Sequence, residues 1–225
     1  MEFSKLKLEI YDLLGTLVPG ILCIALAGLT IGGGTTAAPA FLGKITGTQL
    51  TLLLFAAFAA GQLVQEAADR LIKVVKGPRF LKVGRDTFWT SPAASAVREK
   101  IKRESGTDIR SADVGYDYCL TVIGDRFAKR DTFIAIADLA RSLWFLAWVA
   151  LAPLVRLSAN LGWSWVRAKT IAEGLLAICI ISYLAWARMI RFRTLSDVSV
   201  FHVFLAVNAT ADTPAPVKND DTGNE

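Results

Sequence analysis

Four runs of apolar residues divide this chain, and together they predict a membrane protein. The runs cover residues 13–31, 50–64, 132–155 and 171–189. About 20 apolar residues cross the roughly 30 Å hydrocarbon layer as an α-helix. The second run is short, but its helical pattern continues to about residue 75. The pattern therefore predicts an all-α, polytopic membrane protein with four transmembrane helices.

The first run has two interpretations. It carries no charge, and its Pro19-Gly20 pair predicts a kink whose freed backbone groups a neighbouring helix would satisfy. The alternative is a secretory signal peptide, because Ala38-Pro39-Ala40 resembles a cleavage site. The run is longer than the apolar part of a usual signal peptide, and the site lies well beyond it. These two facts favour a retained span.

The segment between the second and third spans, 76–131, predicts a small helical cap outside the membrane. It is too short to bury a large core of its own. Its helix boundaries follow from capping residues and from glycine stops. The predicted helices are Ser91-Pro92 to Gly106, Ser111 to Gly124, and Asp125 onward without a break into the third span.

The chain after the fourth span predicts one further helix and a tail. Residues 190–207 form an amphipathic pattern, which is typical of a helix that lies on the membrane or packs on a neighbour. Residues 208–225 are polar and contain prolines, so they are predicted to be disordered. The apolar positions of the helix are Leu195, Val198, Phe201, Phe204 and Leu205.

Positive charge indicates the orientation. The net charge is +5, with 25 Lys or Arg against 20 Asp or Glu. Residues 70–130 alone hold fourteen basic and seven acidic side chains, whereas the loop at 32–49 holds one basic residue. Because loops rich in Lys and Arg stay in the cytosol, we expect the cap and both termini to be cytosolic.

A basic residue recurs at every third position from Arg70 to Arg85. A voltage sensor is disfavoured, because the row begins outside the apolar run and Gly77-Pro78 ends the helix. Two interpretations stay open: a topology anchor attracted to anionic lipid, or a site for a polyanion such as single-stranded nucleic acid or a nucleotide. The candidate ligand-binding residues are Lys76, Arg79, Lys82, Arg85, Phe88 and Trp89.

Polar side chains near the cytosolic ends of two spans are candidates for a pore or gate. On the second span they share one helix face, and on the third they are three residues apart. In an oligomer such residues form a polar ring that selects ions, whereas in one protomer they form a structural ion-pair network. The candidates are Gln62, Gln65, Glu66, Asp69, Asp138 and Arg141.

The sequence contains few of the residues that catalytic, metal or cofactor sites commonly use. His202 is the only histidine, and the three cysteines have no metal-binding or disulfide spacing. No sequence motif for a nucleotide-binding loop, a nucleophile elbow or a zinc protease occurs. We therefore expect no enzyme activity, no metal and no cofactor.

Three stretches carry a family resemblance. YDLLGTLVPG (11–20), AAGQLVQ (59–65) and DRFAKRDTFIAIADLARSL (125–143) resemble motifs of small bacterial four-span membrane proteins, although Gln62 stands where a histidine is expected. Proteins of this architecture include membrane effectors of anti-phage defence, among them the Hailong type, an oligomeric channel that responds to a nucleic-acid ligand. The resemblance implies a multi-pass protein of the bacterial inner membrane.

The sequence thus leads to two functional hypotheses. The first is a homo-oligomer, such as a tetramer, that acts as an ion channel or membrane-disrupting effector. Its cytosolic cap would sense a polyanionic ligand or a partner protein. The second is a non-conducting membrane scaffold that anchors or recruits a cytosolic partner.

Overall fold

The computed structural model describes residues 3–32, 46–76, 82–124, 128–160 and 165–209. Within these ranges the chain is all-helical and contains no strand, which confirms the prediction that the protein is all-α. The helices are α1 (Phe3–Gly32), α2 (Gly47–Lys76), α3 (Val83–Trp89), α4 (Ala93–Ser105), α5 (Ala112–Ile123), α6 (Ala128–Val149), α7 (Leu151–Asn160) and α8 (Trp165–Ala209).

Three helical stretches are long and apolar enough to cross a membrane. They are Gly47–Lys76, Lys129–Arg156 and Ala168–Val207. A shorter apolar stretch, Gly15–Ile31, lies within α1. Helix α1 packs against α2 and α6, and α6 packs along α8. The four apolar stretches therefore form one bundle, whose outward side chains are largely hydrophobic.

The third apolar stretch is interrupted between α6 and α7. Helix α6 ends at Val149, and Ala150 is a turn residue before α7 begins. Pro153 explains the break, because it has no N–H to pair with the carbonyl of Val149, four residues earlier. The amides of Ala150 and Leu154 keep helical bonds on either side, at 2.9 Å and 3.3 Å.

Helix α8 is longer than the sequence pattern predicted. The fourth span and the expected separate helix at 190–207 form one continuous helix of 45 residues. At 1.5 Å per residue this helix is about 68 Å long, roughly twice the hydrocarbon thickness of a bilayer. The part that follows Met189 therefore extends beyond the bundle, and there it packs against α3, α4 and α5.

The cap, defined as α3, α4 and α5 with the end of α8, has its own hydrophobic core. Residues 76–131 are too few to bury a large core alone, and α8 contributes the further apolar side chains of Val200, Phe201 and Phe204. Phe201 stacks on Phe88 with ring centroids 4.4 Å apart. The buried core residues are Phe88, Trp89, Ala94, Val97, Ile101, Tyr116, Cys119, Ile123, Val200, Phe201 and Phe204.

Most predicted helix ends in the cap are confirmed. Gly106 ends α4 with a φ of 70°, and Gly124 ends α5 with a φ of 56°. Both values lie in the region that favours glycine. The prediction that Ser91 caps α4 is wrong, because its hydroxyl donates to the Phe88 oxygen at 2.6 Å. The Ala38-Pro39-Ala40 site and the predicted tail beyond residue 209 lie outside the described residues.

Candidate functional site

Gln65 completes the backbone hydrogen bonding of α1. Pro19 has no N–H, so the carbonyl of Gly15 lacks its helical donor. The Nε2 of Gln65 donates to this carbonyl oxygen at 3.0 Å and lies 3.5 Å from the Thr16 hydroxyl oxygen. In a bilayer such a carbonyl has no water to pair with. Gln65 is therefore a structural partner of α1, which the pore hypothesis did not anticipate.

Two glycines allow α1 and α2 to approach this closely. A Cβ atom at Gly20 would lie 1.6 Å from the carbonyl oxygen of Ala57. One at Gly61 would lie 1.9 Å from the carbonyl oxygen of Thr16. Both distances are far below any possible contact, so only glycine fits at these positions. This close packing brings the Gln65 side chain within reach of Gly15.

An ion-pair network joins α2 to α6 near the predicted cytosolic end of the bundle. Arg141 contacts Asp69 with Nη1 at 2.9 Å and Asp138 with Nη2 at 3.2 Å. Asp69 also pairs with Lys73. The Arg141 side chain is only 14% exposed, and its Nε has no partner among the described residues. These contacts match the structural alternative for Asp69, Asp138 and Arg141, and their role in a pore stays a prediction.

Gln62 and Glu66 point away from this network. Both residues are exposed, and Glu66 pairs with Arg70 on the surface of the same helix at 2.7 Å. The polar face of α2 spans about 100° of the helix circumference. Because α1 and α6 cover only one edge of that face, Gln65 and Asp69 turn inward while Gln62 and Glu66 turn outward.

A second ion-pair network lies in the cap. Asp113 accepts hydrogen bonds from Lys82 at 2.6 Å and from Arg85 at 3.2 Å. Arg85 also reaches Asp197 at 3.4 Å and lies over the Tyr116 ring, 3.7 Å from its centroid. The network therefore ties α3 and α5 to the far end of α8.

The electrostatics of this network favour the charged forms of its surface members. The hydrogen bond from Lys82 holds the pKa of Asp113 below its ordinary value. Burial lowers the pKa of Arg85, but Asp197, Tyr116 and Asp113 together outweigh burial, so the net pKa is raised. Lys82 and Arg85 are thus neutralised by carboxylates of the same chain, and a polyanion would have to compete with them.

Phe88 and Trp89 are core residues of the cap. Each is only 5% exposed. The Trp89 indole N–H donates to the Arg110 oxygen at 3.0 Å. A Cβ at Gly115 would lie 2.2 Å from the Trp89 ring, so α5 is pressed directly against it. Neither ring can stack on a nucleic-acid base in this conformation, which corrects the expectation that both face a ligand.

The remaining candidate cations are Lys76 and Arg79. Lys76 is exposed at the end of α2, and its Nζ lies 5.9 Å from the centroid of the Trp186 ring. Arg79 lies outside the described residues. Among the described cations of this row, Lys76 is available at the surface, whereas Lys82 and Arg85 are engaged in ion pairs.

Asp197 and Asp113, the two acids that pair with the cations of the cap network, were not among the residues predicted from the sequence. Asp197 is 1% exposed, and its Oδ2 has no hydrogen-bond partner among the described residues. Gly84 makes room for it, because a Cβ there would lie 2.9 Å from the Asp197 Cβ. One signal was available: Asp197 is spaced i, i+4 from Phe201 on α8 and therefore shares its inward face.

Comparison with known proteins yields no relative. No protein-family model, no curated protein and no solved structure matches this chain. The resemblance of the three sequence motifs to bacterial membrane effectors stays a prediction.

Proposed function

We propose that this protein is an oligomeric ion channel or membrane-disrupting effector of the bacterial inner membrane, controlled through its cap. It crosses the membrane four times, with α1, α2, the α6–α7 segment and α8. The cap and both termini are cytosolic. The three motifs that resemble anti-phage membrane effectors support a role in antiviral defence.

The continuity of α8 supports this proposal most directly. Its early part contributes Ile178, Ala185 and Met189 to the buried bundle, and its late part contributes Phe201 and Phe204 to the cap core. A helix transmits displacement along its axis because its backbone is fully hydrogen-bonded. A ligand or partner that moves the cap therefore acts directly on the fourth span.

Conductance of the purified chain tests the proposal. The protein would be reconstituted into planar bilayers, and current recorded with and without short single-stranded DNA as the probe. We expect current that the probe changes. Phe201→Ala should uncouple the cap from the response, whereas Leu195→Ala, at a position of α8 that is 41% exposed, serves as its control. Absence of current under every condition would refute the channel.

Orientation is tested separately with single thiols. Val114 lies on the exposed side of the cap, and Ala159 is exposed in α7. In intact cells, a membrane-impermeant maleimide should label Ala159→Cys but not Val114→Cys. The reverse pattern, or labelling of both, would contradict four spans with a cytosolic cap.

A non-conducting scaffold is the second candidate, and one observation favours it. Gln65, Asp69, Asp138 and Arg141 are all paired inside one protomer. A path through the protomer would have to break these contacts. A protein that inserts correctly, passes no current and retains a cytosolic protein through its cap would fit this alternative.

A further inference from the structure

The outward face of α2 carries polar groups at a depth where hydrophobic side chains are expected. Gln62 follows Gly61, which packs against Thr16 three residues inside the start of the first apolar run. In the proposed four-span topology the Gln62 amide therefore lies just inside the cytosolic edge of the hydrocarbon layer, about 6 Å from Glu66 along the helix axis. Gln62 is exposed and makes no hydrogen bond with any described residue.

Many outward positions on the other helices of the bundle carry aliphatic side chains. On α1 they include Ile21 and Leu22, exposed at 46% and 39%. On α8 they include Ile180 and Ile181, at 50% and 52%. These positions suit lipid contact without any partner. An amide facing lipid is unfavourable unless it is hydrogen-bonded, so Gln62 requires a partner that these aliphatic side chains do not.

The exposed polar residues of α2 belong to one stripe along the helix, which begins with two apolar residues. Phe55, Ala59, Gln62, Glu66 and Arg70 follow at helical spacing, and all are exposed. The stripe thus runs from an aromatic ring through a small residue to an amide, and then to opposite charges. No described helix of the same chain covers it.

We infer that this stripe is an interface with the α2 helix of a second copy of the chain. Two copies in one membrane have the same topology, so equivalent residues meet at the same depth. The Gln62 amide is both donor and acceptor and can pair with its own equivalent. Glu66 and Arg70 carry opposite charges one turn apart, so they can pair between copies as well as within one.

Self-association also accounts for the small residue in the stripe. Ala59 lies one turn deeper than Gln62, and small residues at such positions let two membrane helices approach closely. The inference deepens the proposed function and rests on its oligomeric state. It adds the surface that forms the contact and the residues that determine its strength.

Disulfide crosslinking in native membranes tests the inference. In a Cys23→Ala/Cys179→Ala background, Ala59→Cys and Gln62→Cys should form crosslinked dimers under mild oxidation. Leu22→Cys and Ile181→Cys, on the exposed faces of α1 and α8, are the matched controls and should remain monomeric. Equal crosslinking at all four positions, or none at the α2 positions, would overturn the assignment.

A second measurement isolates the amide. Energy transfer between labelled copies in liposomes should show that Gln62→Leu weakens self-association about threefold to tenfold, the effect of one interhelical hydrogen bond in a membrane. Undiminished association in Gln62→Leu would refute the role of the amide. Crosslinking through α2 without current would refute the channel but support this interface. Current without α2 crosslinks would support the channel but refute this interface.

Discussion

The side chain of Gln65 donates a hydrogen bond to the main-chain oxygen of Gly15, 3.0 Å away and fifty residues earlier in the chain. This oxygen is the one that Pro19 deprives of a helical donor. The unpaired carbonyl in α1 and the polar side chain of Gln65 in α2 therefore satisfy each other's hydrogen bonding.

The pair can be tested with a double-mutant cycle. Gln65→Leu leaves the Gly15 carbonyl unpaired in an apolar region, and we expect a loss of about 1–2 kcal/mol in the free energy of unfolding. Pro19→Ala restores the missing N–H, so the same Gln65→Leu change should then cost less. Unfolding in mixed detergent micelles measures both values. Strictly additive effects would contradict the pairing.

Gly61 should be intolerant of even one added methyl group. Because its Cβ would collide with the Thr16 carbonyl, Gly61→Ala must push α1 away from α2, at a cost of about 1–3 kcal/mol. Gly28→Ala is the matched control, since nothing lies within 4 Å of a Cβ there. Thermal unfolding in detergent compares the two. Similar stabilities for both variants would show that the close approach is not maintained.

Arg141 should stabilise the bundle through its two carboxylates. Arg141→Met leaves Asp69 and Asp138 without their shared cation, and we expect a loss of about 1.5–3 kcal/mol. Adding Asp69→Asn should recover part of this loss. The same unfolding experiment measures each variant, with Arg156→Met, at an exposed position of α7, as control.

The outcome also distinguishes the two roles considered for Arg141. A variant as stable as the Arg156→Met control would contradict the structural network. If conductance changed while stability did not, Arg141 would belong to the ion path instead.

Cys119 should report whether the cap is closed. Burial raises the pKa of its thiol to about 12, so at pH 8 only about one thiol in ten thousand is the reactive thiolate. In a Cys23→Ala/Cys179→Ala background we expect no maleimide labelling until the cap unfolds. Val114→Cys, on the same helix and 54% exposed in the parent, is the reactive reference. Comparable labelling rates would mean that the cap opens readily.

Local chemistry made several helix boundaries predictable. Glycines with positive φ end α4 and α5, and α2 ends at Lys76, directly before Gly77-Pro78. These signals depend on a few neighbouring residues, so the sequence displays them directly. The third and fourth apolar runs were recognisable for a similar reason, and both fall within helical stretches that are long and apolar enough to cross a membrane.

Contacts between distant residues were not predictable in this way. The stacking of Phe88 on Phe201 joins positions more than a hundred residues apart, and nothing local identifies Phe88 as a core residue. The periodic pattern placed Leu195 on the inward face of α8, yet it is exposed while Asp197 is buried. The burial of Asp197 is explained by Arg85, which gives its carboxylate a cation to pair with.

The unbroken course of α8 also constrains how the chain can change in length. Each residue inserted between Met189 and Phe201 would rotate the cap by about 100° relative to the bundle and lift it by about 1.5 Å. One insertion would thus separate Phe201 from Phe88 or Met189 from Ile72, whereas a seven-residue insertion would restore the angle to within about 20°. In this segment the spacing of residues sets the angle at which the cap faces the membrane.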